Sequence, residues 1–172
     1  EKEFGKMDTN YASTLAVLFE ISYYSGNYKK ALTYTQEEIE IIKELQGINH
    51  LSYSSSLNDL ATIYYAMGQY YQSEDLFIQA IKIKKKLIGE NTPSYANSLN
   101  NLAVLYMLMG RYKQAEEQLL KANKIIKTQL GENNPSFENS LNNLAGLYED
   151  MGNYSLAEKF HLQANQIFKT QL

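Results

Sequence analysis

Leu99-Asn100-Asn101-Leu102-Ala103-Val104-Leu105-Tyr106 is the pattern on which the whole chain turns. It returns 42 residues later as Leu141-Asn142-Asn143-Leu144-Ala145-Gly146-Leu147-Tyr148. It also stands 42 residues earlier, more loosely, as Leu57-Asn58-Asp59-Leu60-Ala61-Thr62-Ile63-Tyr64. A fainter copy reads Leu15-Ala16-Val17-Leu18-Phe19-Glu20-Ile21. A fixed period of this size marks a repeat array, because one unit cannot bury its apolar face alone and must stack on its neighbours. Leu99, Leu102, Ala103 and Tyr106 are spaced i, i+3, i+4, i+7, which puts them on one face of a first helix. Ala115, Leu119, Ala122 and Ile126, at i, i+4, i+7 and i+11, likewise share one face of a second helix, with the small alanines where helices approach closely. The last two copies, Ser94 to Leu130 and Ser136 to Leu172, agree at roughly 23 of 37 positions. The N-terminal copy has drifted furthest, and Ser73 and Glu38 replace small residues in the second and first units.

Glycines frame each copy twice. Gly26, Gly68, Gly110 and Gly152 precede Tyr28, Tyr70, Tyr112 and Tyr154 by two residues, and each reads as a left-handed cap between two helices. Gly5, Gly47, Gly89 and Gly131 end the second helix of a pair. Thr92-Pro93 and Asn134-Pro135 follow, and a proline just inside a helix start, after a capping Thr or Asn, is a start signal. Asp8 and His50 hold the cap position in the other two units. The frame gives a tail of a preceding repeat at 1–7 and four helix pairs at 8–49, 50–91, 92–133 and 134–172. Both ends fall at repeat boundaries, so a piece of a longer array is expected.

Composition bounds the function. A net charge of −3 and a pI near 5.5 give no general attraction to nucleic acid or an anionic membrane. The chain has 0 cysteines, so a disulfide framework or thiolate metal site is excluded, and a reducing cytoplasm fits. No apolar run approaches the roughly 18 residues of a membrane span, and Glu1-Lys2-Glu3-Phe4-Gly5 does not read as a signal peptide. His50 and His161 occupy unrelated repeat positions and read as surface or capping residues. No phosphate loop or triad is visible, so no catalytic residue, cofactor or metal is expected and the segment is not read as an enzyme.

These residues resemble the tetratricopeptide repeat, with Leu99 for its Trp, Ala103 for its Gly, Leu119 for its Phe, and Tyr106 and Ala115 matching. The Leu-Asn-Asn-Leu-Ala, Gly-x-Tyr and Leu-Gly-x3-Pro elements at a 42-residue period look most like kinesin-light-chain-type repeats. The resemblance implies an all-α, right-handed superhelical solenoid of antiparallel helix pairs. Its first helices would line a concave groove holding an extended peptide or a partner helix.

On first helices whose core side is Leu99, Leu102, Ala103 and Tyr106, the opposite side carries Asn97, Asn101, Val104 and Leu108. The matching sets are Asn139, Asn143, Gly146 and Asp150; Ser55, Asp59, Thr62 and Ala66; and Ser13, Val17, Glu20 and Tyr24. Asn58, Asn100 and Asn142 flank them, with Tyr65 beyond. The resemblance carries groove asparagines onto Asn101 and Asn143. Residues 9–24, 51–66, 93–108 and 135–150 contain no Lys or Arg, so the groove lacks the cations that an acidic ligand or RNA requires. A neutral, apolar or basic protein or peptide is the expected ligand, with no nucleic acid or membrane. The alternative is a spacer that self-associates end to end. Lys82, Lys84, Lys85 and Lys86 are expected on a solvated outer wall.

Overall fold

A computed structural model describes residues 8–170. The expected tail at 1–7, with Glu1 to Phe4 and Gly5, and the end of the last unit at Leu172 lie outside the described residues. Among the described residues the chain is all-α, with helices α1 (Thr9–Tyr24), α2 (Tyr28–Gln46), α3 (Leu51–Ala66), α4 (Tyr70–Ile88), α5 (Pro93–Leu108), α6 (Tyr112–Leu130), α7 (Pro135–Asp150) and α8 (Tyr154–Thr170). The four first helices, α1, α3, α5 and α7, coincide with the four ranges that hold no Lys or Arg.

Local chemistry sets these boundaries. The Asp8 side chain accepts from the Tyr11 N–H at 2.6 Å, Thr92 Oγ1 from Tyr95 N at 3.3 Å, and Asn134 Oδ1 from Ser136 N at 2.9 Å. His50 does the same work through Nδ1, which accepts from Ser52 N at 3.2 Å, so its role is that of a cap. Each satisfies one of the orphan donors that open a helix. Gly131 closes α6 at φ 85° and ψ 171°. That combination lies outside the left-handed helical well, in a region only glycine occupies without strain.

The chain divides into two compact units between Leu87 and Ile88. In the first unit α2 packs against α1 on one side and α3 on the other. Phe19, Ala31 and Ile63 form one apolar cluster there, and Ile39, Leu57, Leu60 and Ala80 form another. Ser73 sits fully buried because its Oγ donates to the Ala61 carbonyl at 2.8 Å. In the second unit α5 pairs with α6, α6 packs on α7, and α7 pairs with α8. The expected core faces are buried there: Leu99, Leu102, Ala103 and Tyr106 of α5, and Ala115, Leu119, Ala122 and Ile126 of α6. Tyr148 stacks on Phe160 with ring centroids 5.6 Å apart. Its hydroxyl donates to Glu116 Oε1 at 2.6 Å, and burial followed by that hydrogen bond pushes its pKa up to about 12.

One expectation fails. Lys82, Lys85 and Lys86 are exposed, but Lys84 is buried at 6% exposure. Its column of the repeat holds Ile42, Ile126 and Phe168, so it stands at a core-facing position where its aliphatic stem replaces an apolar side chain. Burial lowers its pKa, and the Asp59 carboxylate acts in the opposite direction.

Candidate functional site

The face of each first helix that turns away from its core is the candidate site, taken one unit at a time. In the second unit, Asn97 and Leu108 of α5 and Asn139 and Asp150 of α7 are exposed. Asn101, Val104, Asn143 and Gly146 lie half-buried between them. The two helices run close at Gly146, where an added Cβ would meet Met107 Cε at 3.8 Å. The surface is built of amides and short apolar groups, with Asp150 as its one charged member among those predicted. Such a surface can exchange hydrogen bonds with a peptide backbone, because an amide side chain both donates and accepts.

Asn100 and Asn142 are set deeper or to one side of these residues. Asn100 is buried, and its Oδ1 has no hydrogen-bond partner among the described residues. Its repeat counterpart Asn142 lines a cleft of about 710 Å³ along α7 and α8. There His161 bridges the two helices, Nδ1 lying 3.3 Å from Asn142 Oδ1 and Nε2 3.2 Å from Glu149 Oε1. Glu138, Glu149 and Glu158 make this cleft acidic, and Phe168 is exposed at its edge. The sequence signal for it was His161 in the column of the buried Leu119.

In the first unit the corresponding face is acidic and aromatic. Ser13, Val17, Glu20 and Tyr24 of α1 are exposed, as is Ser55 of α3. Asn58, Asp59, Thr62, Tyr65 and Ala66 are half-buried. Tyr65 leans on Tyr70, ring centroids 6.5 Å apart, so packing takes part of its surface. Asp59 is the most perturbed group: its pKa rises from 3.8 to about 7, first through burial and then through the neighbouring Glu38 and Glu20 carboxylates, with Lys84 pulling it down. Burial also raises Glu38, against a hydrogen bond from Ser56 that lowers it. Among the described residues no set of His, Asp and Glu is grouped to hold a metal, and no helix is long and apolar enough to cross a membrane.

A family model described as tetratricopeptide repeat matches residues 11–86, 54–128 and 94–170. A search of curated proteins found no match to the sequence. Solved structures share the fold. BtubC (BKLC) from P. vanneervenii is 22% identical at a TM-score of 0.82, over 93% of this chain and 64% of that one. A variant of a kinesin-light-chain-type protein with nearly identical TPR-like repeats, from Podosopora anserina, is 25% identical at a TM-score of 0.78, over 98% and 80%. The apo form of RapI is 18% identical at a TM-score of 0.79, over 99% of this chain and 58% of its own. The chain thus spans under two thirds of BtubC and of RapI.

Proposed function

Because the chain belongs to the tetratricopeptide repeat family, a fold that serves as a protein-interaction scaffold, we propose that it holds an extended peptide or a partner helix on the open face of its first helices. The observation that carries this reading is the pairing of Asn97 and Asn101 on α5 with Asn139 and Asn143 on α7, on helices free of Lys and Arg. An amide row hydrogen-bonds a backbone whatever its sequence, at about 0.5–1.5 kcal/mol per bond, and leaves selectivity to the neighbouring side chains. Asp150 in one unit and Glu20 and Asp59 in the other favour a neutral, apolar or basic ligand over an acidic one. The family role is a non-catalytic one, and the lack of cysteine suits a cytoplasmic setting.

A peptide-array screen followed by titration calorimetry tests the reading. Asn101→Ala with Asn143→Ala should weaken a selected peptide about tenfold or more, the sum of two hydrogen bonds. Unchanged binding in the double variant would remove the amide row from the interface.

A further inference from the structure

We propose that the cavity between α1, α2 and α3 is a pocket for one primary ammonium group on an aliphatic stem, such as a partner's lysine side chain, with the Glu38 carboxylate as counter-ion. The proposal deepens the peptide-binding reading and rests on it for the kind of partner, although the pocket's chemistry stands alone.

The repeat itself singles out Glu38. Its column holds Ala80, Ala122 and Ala164 in the other three units, all buried, so the fold asks for a methyl group there and receives a carboxylate. Glu38 is 7% exposed. Its Oε1 accepts from Ser56 Oγ at 3.0 Å, while its Oε2 has no hydrogen-bond partner among the described residues. A buried carboxylate oxygen without a donor is costly, and the alanines of the sister repeats show that the architecture does not impose that cost.

Glu38 lines a cavity of about 230 Å³. That is several times the roughly 30 Å³ one water occupies in the liquid, room enough for the side chain of a lysine. Ala12 and Ala16 of α1 and Ile42 and Leu45 of α2 give it apolar walls, and Ser13 and Ser52 place hydroxyls beside them. This is the composition a lysine needs: methylenes against the alanines, and three N–H donors for one carboxylate oxygen and nearby hydroxyls. A guanidinium fits less well, because its fork seeks both carboxylate oxygens and Ser56 already holds one. Burial holds the Glu38 carboxyl above its usual range, and a bound ammonium would act against that shift.

The test uses n-butylammonium, which copies the lysine side chain, and alanine-methyl-labelled protein observed by NMR. The Ala12 and Ala16 methyl signals should shift saturably with n-butylammonium and not with n-butanol. Glu38→Gln should weaken the amine at least about fivefold, and so should Glu38→Ala. Glu38→Ala installs the residue of the other three repeats, so it folds, and its remaining methyl signals serve as the control. Absence of saturable shifts, equal response to butanol, or unchanged affinity in both variants would overturn the pocket. Peptides that bind yet do not distinguish lysine from norleucine would also overturn it while leaving the open-face reading intact. Amine binding through Glu38 in a protein that selects no peptide would do the reverse.

Discussion

Replacing Asp59 by Asn should abolish a specific loss of stability as pH rises. In the native unit its carboxyl holds a proton up to about pH 7, against 3.8 for the ordinary group, chiefly because burial disfavours the charge and secondarily because Glu38 is near. Between those two values the folded chain binds a proton that the unfolded chain has lost, so stability falls as pH rises through the window and levels off above it. The full shift of about three units corresponds to about 4 kcal/mol at 1.36 kcal/mol per unit. Between about pH 5 and pH 8 some two units are crossed, a ceiling near 3 kcal/mol; partial exposure reduces this to about 2 kcal/mol, the pull of Lys84 being already contained in the value of about 7. Asn is the residue at the equivalent positions 101 and 143, so the substitution suits the repeat. Urea titrations at the two pH values, followed through the methyl signals of Leu57 and Leu60 on the same helix, read the local unit. Glu38 is coupled to Asp59 by charge, so the difference between the two proteins reads the pair. If wild type and variant change in parallel, within about half a kcal/mol, Asp59 does not carry the shift and the electrostatic account of this unit is wrong.

Leu119→Ala removes a fully buried side chain and should cost about 2–5 kcal/mol, whereas Leu120→Ala, at 46% exposure on the same helix, should stay within about 0.5 kcal/mol; chemical denaturation distinguishes them. Two glycine substitutions should move thermal stability in opposite directions. Gly131→Ala has open space around its Cβ but a positive φ, so it should lose about 1–3 kcal/mol from backbone strain alone. Gly146→Ala, inside α7 and in ordinary contact with Met107, should gain about 0.5–1 kcal/mol.

The helices were legible because punctuation and periodicity agreed. Glycine at positions that need positive φ, Thr or Asn before Pro, and apolar spacing of three and four residues all mark the same boundaries, and tertiary packing has nothing to overrule. The core side of each first helix followed from angle alone. What angle does not reveal is which flank a neighbouring helix covers, so Asn100 and Asn101, adjacent in sequence, differ in kind: one buried, one half-open. The charged group in the first unit was also hidden. Glu38 was visible as a departure from alanine, yet its unpartnered oxygen and the cavity beside it depend on three helices meeting. Lys84 was grouped with its exposed neighbours, when the column it shares with Ile42 and Ile126 was the better guide.

The confinement of every cation to second helices, connectors and leading residues has a covalent consequence. Trypsin has no cleavage site inside α5 or α7, so each arrives whole, on the fragments 87–111 and 128–159. Acetylation, ubiquitin attachment and amine-reactive crosslinkers likewise find no lysine on α1, α3, α5 or α7. Lysine chemistry, whether a cell's or an experimenter's, can therefore decorate one set of helices while the other keeps its native side chains.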